Sequence, residues 1–308
     1  MITTRRALRL DISRRLLTAI ACVGLLICAC GAPRSSPDTA STLRVVTTTT
    51  VFADIVRQIG GNHVTVDSII PPGVGPEDYE PKPADARRLS DAQLVVSNGV
   101  GLDDFLDGII KASGRSDVDR LVLGDGIPTV TINGEQNPHF WLDPTLVERY
   151  YLPAIRDRLT KLRPDATADF ASATDAYAAR LRELDAANVT KIETIPPAHR
   201  KLVTFHDAFP YFAAHYGFDL IGVILQNPGQ EPSAADLAAL VSKVKAAGVP
   251  AVFSEAQFDP KLARTLADEA GITRVVTTLY NDALGPSPAD TYIGLMTWDV
   301  DEIVKALT

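Results

Sequence analysis

Cysteine is nearly absent from this chain. Its 308 residues contain three, at positions 22, 28 and 30. The part beyond them can therefore build no disulfide framework and offers no thiolate to a metal. Positive charge is also scarce: 30 Lys and Arg stand against 38 Asp and Glu, a formal charge of −8. A nucleic-acid binder needs a basic face to release counterions, and this balance argues against one. After the first thirty residues no apolar run is long enough to cross a bilayer as a helix. The chain also has no G-x-x-x-x-G-K-[ST] phosphate loop, no H-E-x-x-H pair and no G-x-S-x-G elbow. Without these, nucleotide hydrolysis and the commonest hydrolase chemistries have no sequence support. Histidine is limited to His63, His139, His199, His206 and His215.

The N-terminus reads as an export signal. Arg5, Arg6, Arg9, Arg14 and Arg15 precede Leu16 to Ala29, an uncharged apolar run. Such a run is short for a membrane span and suits a signal-peptide core. Ala29-Cys30-Gly31 resembles the lipobox of bacterial lipoproteins. This predicts a signal peptide over 1–29, Cys30 as the lipidated first residue, and a Pro/Ser/Thr-rich tether over 30–42. Beyond position 29 lie 25 of the 30 basic and 37 of the 38 acidic residues, a formal charge of −12.

The rest alternates short apolar runs with helical patterns, which predicts an α/β fold with parallel sheets. An N-terminal lobe is expected over 43–142, a helical segment over 143–195 and a C-terminal lobe over 196–308. In the first lobe, strands are expected at 43–50, 63–70, 93–97 and 121–123, with helices at 51–59 and 101–113. The segment from Asp143 to Leu162 reads as helix, entered at Pro144 and interrupted at Pro153. From Asp165 to about Thr190, the apolar positions Phe170, Ala173, Tyr177, Leu181 and Leu184 keep to one face. That predicts one long, rigid helix linking the lobes. In the second lobe, strands are expected at 201–205, 220–225, 251–254 and 275–279. The helices expected between and after them run over 209–216, 233–247, 261–270 and 290–307.

Ligands of parallel α/β sheets bind beyond the carboxyl ends of the strands. His206 follows one strand directly. His139 lies in the loop that feeds the helical segment. Glu77, Glu255 and Asp282 are carboxylates just past other strands, in loops that two facing lobes could bring together. Asp143, Asp207 and Glu255 are candidate partners for the far nitrogen of a ligating histidine. For Asp143 and Asp207, each just before a helix, capping is the competing role. Trp141 and Phe209 are expected to pack around such a site, and His63, His199 and His215 to be structural or surface residues.

Five stretches resemble the metal-binding solute receptors of bacterial zinc and manganese ABC importers: PPGVGPEDYEPKPAD at 71–85, NPHFWLDP at 137–144, LVTFHDAFPYFAAHYG at 202–217, FSEAQFDPK at 253–261 and LYNDALG at 279–285. The resemblance covers the chain from residue 43 onward. It implies two α/β lobes joined by one long helix, with a metal in the cleft held by Glu77, His139, His206 and Asp282. The family usually has histidine where this chain has Glu77. The His-rich loop of many zinc receptors is also replaced here by the short Val130–Gln136 segment. A shell of two imidazoles and two monodentate carboxylates suits Zn²⁺; bidentate carboxylates would suit Mn²⁺ or Fe²⁺. His206 leans towards zinc and Glu77 towards manganese, with Zn²⁺ the favoured cargo. The resemblance further implies a monomeric, lipid-anchored receptor outside the cytoplasmic membrane, serving a separate permease and ATPase. It implies no enzyme. A metal-dependent hydrolase and a surface adhesin of the same fold are the alternatives.

Overall fold

The computed structural model of the chain describes residues 42–76, 79–132, 134–225 and 232–308. The expected signal segment, Cys30, all but the last residue of the tether, and Glu77 lie outside the described residues.

Strands β1 (Leu43–Thr47), β2 (Val64–Ser68), β3 (Leu94–Ser97) and β4 (Asp119–Val122) form a fully parallel sheet in the order β2-β1-β3-β4. The central strand β3 is buried at all four positions, as expected of a parallel strand covered on both faces. Helix α1 (Thr50–Gly60) follows β1 directly and buries nine of its residues. Helix α2 (Pro83–Ser90) lies between the strands expected at 63–70 and 93–97, where no helix was expected. Pro83 at its first turn and the Asp85 carboxylate, which accepts the Lys82 N–H at 2.7 Å, start it. Helix α3 (Leu106–Ser113) is shorter than expected. Gly99, Val100 and Gly101 all have positive φ, at 81°, 55° and 81°, which keeps the helix from starting at Gly101. Left-handed backbone at the β-branched Val100 is strained. The buried Asp103 carboxylate holds the turn by accepting from the N–H groups of Asn98 (2.6 Å) and Gly99 (2.9 Å) and from the Thr48 hydroxyl (3.1 Å). A small hairpin, β5 (Thr131–Ile132) with β6 (Glu135–Gln136), leads to the next segment.

The kink expected at Pro153 takes a definite form. A short helix α4 (Pro144–Leu146) widens into a π-helical turn over Val147–Tyr151 before α5 (Leu152–Leu162) resumes normal winding. Proline has no N–H for the carbonyl four residues earlier and crowds it, so the turn ahead of Pro153 opens. Helix α6 (Thr167–Ile192) has 26 residues, about 39 Å at 1.5 Å each. Its buried stripe runs through Phe170, Thr174, Tyr177, Leu181, Leu184, Asn188 and Ile192. Thr174 takes the inward place expected for Ala173, and its hydroxyl is satisfied by the Phe170 carbonyl at 2.7 Å.

In the second lobe β7 (Lys201–Thr204) pairs in parallel with β8 (Asp219–Val223), and β9 (Ala251–Glu255) with β10 (Arg274–Leu279). β7 also lies against β9, so the two pairs sit side by side. Helices α7 (Pro210–Tyr216), α8 (Ala234–Ala247) and α9 (Lys261–Ala270) connect them, and α10 (Tyr292–Leu307) closes the chain against α6. Each lobe has a small core of its own, but the largest core crosses between them. It runs from Phe52 and Trp141 through Tyr151 to Phe209, Phe212 and Tyr292. Buried hydrogen bonds stitch the same seam: the Leu284 N–H to the Thr50 hydroxyl at 2.8 Å, the Tyr292 N–H to the Asp54 carboxylate at 2.9 Å, and the Tyr292 hydroxyl to the Trp141 carbonyl at 2.6 Å.

Candidate metal centre

Each side chain at the seam is set by the backbone that carries it. The Thr204 hydroxyl at the end of β7 donates to the His206 carbonyl at 2.8 Å and so curls the chain that presents His206. β9 ends at Glu255, in register with Leu279 of β10, and Asp282 follows three residues later. His139 stands just before a tight turn, Phe140–Leu142. Its position is fixed from the first lobe, because the Asn98 amide donates to the Pro138 carbonyl at 2.9 Å. Among the described residues His139, His206 and Asp282 form one group whose candidate ligand atoms all lie within 4.8 Å of one another.

The Asp282 side chain has no solvent exposure, and its two oxygens face different rings. Oδ1 is 3.4 Å from Nε2 of His139 and Oδ2 is 3.5 Å from Nε2 of His206. The Gln257 amide donates to Oδ2 at 2.9 Å. Burial pushes the Asp282 carboxyl up; the two rings and the Gln257 amide outweigh it and hold the group below the usual carboxylate range.

The orientation of His139 follows from Asn137. The Asn137 amide nitrogen donates to the Asp207 carbonyl at 2.6 Å, so its Oδ1 must face the other way. That oxygen accepts from the His139 backbone N–H and meets ring Nδ1, each at 3.0 Å. Nδ1 of His139 thus faces the Asn137 oxygen, and Nε2 is turned towards Asp282. On the other side, Nδ1 of His206 is 3.2 Å from Glu255 Oε1. The Trp141 indole N–H donates to the Asn281 carbonyl at 2.7 Å, tying the loop of His139 to that of Asp282. Trp141 and Phe258 cover the rings of His139 and His206 with centroids 5.2 and 5.3 Å away.

The other candidates divide. Asp143 caps the helix after it, its Oδ1 accepting the Thr145 N–H at 2.8 Å. Asp207 is beside the site: burial raises its carboxyl, and electrostatic interaction with His139 and His206 opposes the rise. Phe209 is fully buried in the inter-lobe core. His63, His199 and His215 are held away from the centre by Asp169, the Leu307 carbonyl and Asp185, at 2.8, 2.9 and 2.7 Å. Asn137, Asn281, Gln257 and Phe258 were not singled out in the sequence. All four lie inside the motif stretches, within three residues of His139, Asp282 or Glu255, and that adjacency was the available signal.

The model of the family described as zinc-uptake complex component A, periplasmic (ZnuA), matches residues 45–306. The chain is 32% identical over 292 residues to the manganese-binding lipoprotein MntA of Halalkalibacterium halodurans, covering 93% of this chain and 96% of that one. It is 31% identical over 297 residues to the iron-binding protein YfeA of Yersinia pestis, covering 94% of each. The solved structure of the periplasmic zinc-binding protein TroA from Treponema pallidum matches with a TM-score of 0.80 at 31% identity, over 87% of this chain and 100% of that chain.

Proposed function

This chain belongs to the ZnuA family of periplasmic zinc-uptake components, and from that premise we propose that it is the receptor that captures one divalent transition-metal cation for an ABC importer. In this reading His139 and His206 give Nε2, Asp282 gives carboxylate oxygen, and Glu77 is the fourth ligand. The cation is cargo, passed to a permease and ATPase on separate chains. The receptor works outside the cytoplasmic membrane as a monomer, held by a lipid on Cys30.

The observation that carries this reading is the buried carboxylate between two imidazoles. The Asn137 network turns Nε2 of His139 towards an Asp282 oxygen 3.4 Å away. A buried carboxylate flanked by ring nitrogens is stabilised when a proton or a cation lies between them. Zinc bound tetrahedrally at about 2.05 Å has ligand–ligand edges of about 3.3 Å. The 3.4 Å spacing from the His139 ring to Oδ1 is close to that edge, and the His206 ring stands 3.5 Å from the other oxygen, Oδ2. Zn²⁺, which a shell of two imidazoles and monodentate carboxylates suits, is the favoured cargo in this reading. One observation favours Mn²⁺ as a second reading: both Asp282 oxygens face the rings, so bidentate binding would raise the donor count. Four protein ligands leave no open position for an activated water, which sets the centre apart from catalytic zinc.

The test is a titration of the full chain, purified in detergent and stripped of metal, with Zn²⁺ and Mn²⁺ separately and in competition. A stoichiometric stability gain of about 2.7 kcal/mol at a hundred times the dissociation constant is expected with the cargo metal. Absence of a gain with either cation would sink the reading.

A further inference from the structure

We infer that Tyr211 is a positioning residue of the metal centre: its hydroxyl, inserted into the base of the β5–β6 hairpin, ties the loop that carries His139 to the segment that carries His206. This rests on the metal reading given above and adds to it how the two imidazoles are set against each other.

The base of the hairpin shows the insertion. Thr131 pairs with Gln136 and Ile132 with Glu135, so the same register puts Val130 opposite Asn137. Residues placed opposite each other in this way in an antiparallel ladder exchange two N–H···O bonds. One is made directly, from the Asn137 N–H to the Val130 carbonyl at 2.9 Å. The Tyr211 hydroxyl takes up both groups of the other: it accepts the Val130 N–H at 3.0 Å and donates to the Asn137 carbonyl at 2.9 Å. Both partners are main-chain groups, one only a donor and one only an acceptor, so each bond has a single possible direction. Tyr211 is buried, and its ring lies against that of Phe140 with centroids 5.0 Å apart. Burial pushes the phenol up, with the Val130 N–H opposing, so the hydroxyl keeps the proton it donates.

From this point the constraint passes to His139 through Asn137, whose polar groups are all engaged. Its N–H goes to Val130, its carbonyl accepts from Tyr211, its amide nitrogen donates to the Asp207 carbonyl at 2.6 Å, and its Oδ1 accepts the His139 backbone N–H at 3.0 Å. Asn137 cannot turn without breaking one of these bonds, and His139 turns with it. Asp207 and Tyr211 come one and five residues after His206, Tyr211 in the first turn of α7. One short stretch of the second lobe therefore presents its own histidine and holds the loop of the other. This hold is separate from the Asn98 bond to the Pro138 carbonyl, which comes from the first lobe. Without the hydroxyl, the Val130 N–H and the Asn137 carbonyl either lose their partner or close on each other as in an ordinary ladder. In both cases Asn137 loses the geometry that holds His139.

The test uses the full chain in detergent, labelled with ¹⁵N, and two phenylalanine variants. Tyr211→Phe removes the clamp. Tyr216→Phe, on the same helix, removes an equally buried hydroxyl that accepts from Asn188 of α6 at 3.4 Å, and so controls for the loss of a buried hydroxyl as such. Without metal, Tyr211→Phe should shift the backbone and ring signals of His139, and Tyr216→Phe should leave them in place. Zn²⁺ affinity, in competition with a chromophoric chelator, should fall roughly tenfold in Tyr211→Phe, the lower end of what groups behind a ligand carry, and stay at the wild-type value in Tyr216→Phe. Unaltered His139 signals or wild-type affinity in Tyr211→Phe overturns the inference, and so does an equal loss of affinity in the control. If Tyr211→Phe does not fold, amide exchange of the metal-free wild-type chain decides: the Val130 N–H should be as protected as that of Asn137, and an unprotected Val130 overturns the inference. A wild-type chain that binds neither Zn²⁺ nor Mn²⁺ refutes the metal reading instead, because the His139 signals and the Val130 exchange are read without metal.

Discussion

The rings of His139 and His206 lie 5.3 Å apart, centre to centre, and 66° from coplanar, although one is held by the first lobe and the other hangs from the end of β7. Asp282 sits against both. Removing the imidazole from either side should therefore weaken metal binding at least tenfold: we expect this for His139→Ala and His206→Ala alike, measured by chelator competition. Asp282→Asn keeps the shape and removes the charge, and it should lose at least as much. Wild-type affinity in all three variants would refute the ligand set.

Protons compete with the cargo for the same lone pairs. Histidine ordinarily titrates near 6.5, so affinity should fall as the pH is lowered from 7.5 to 5.5, approaching two protons taken up per cation released. Titrations in buffers of different ionisation enthalpy give that number directly. A pH-independent affinity over this range would exclude imidazole ligation.

Asp299 gives the metal-free protein an opposite trend. Burial, opposed by the Tyr280 N–H and reinforced by the charges of Glu255 and Glu302, pushes its carboxyl well above the ordinary range. The folded chain then keeps a proton that the unfolded chain releases above about pH 4. This contribution to stability is complete below that pH and is lost as pH rises towards the folded value, at no more than about 1.4 kcal/mol per pH unit. Asp299→Asn stays neutral throughout. Melting curves with chelator from pH 4.5 to 8 should show the variant gaining on wild type as pH rises; parallel curves would place the dependence elsewhere.

The Asp103 turn is the support beneath His139. Asp103→Ala removes the acceptor of two buried N–H groups and a hydroxyl, while Val100 still demands a left-handed backbone. A loss of about 2 kcal/mol or more is expected. Asn98, released with the turn, should let the Pro138–His139 backbone move, so Zn²⁺ affinity should fall with stability. Urea unfolding with and without Zn²⁺ separates the two effects.

The sequence made some of this legible and hid the rest for physical reasons. That His206 and Asp282 would come together could be read because the apolar runs before them mark strand ends, and loops at the carboxyl ends of parallel strands converge. The beam from Thr167 to Ile192 could be read from its stripe. Helix α2 was missed because prolines and acidic residues around Tyr79 mask its start, although Pro83 and Asp85 are a usable first-turn signal. The late start of α3 depends on three consecutive positive φ values, which only Gly99 and Gly101 advertise. The Asn137–Asp207, Trp141–Asn281 and Asp54–Tyr292 hydrogen bonds join distant parts of the chain, and no local pattern announces such partners.

The seam between the lobes has a kinetic consequence. The His139, His206 and Asp282 side chains have 6%, 2% and 0% of their surface exposed. A chelator in solution cannot touch a cation bound among them. If departure waits for the seam to open, exchange should become independent of chelator concentration once chelator is in excess. Residence time then measures how often the seam opens. A cation bound more weakly at equilibrium could then be held as long as a tighter one.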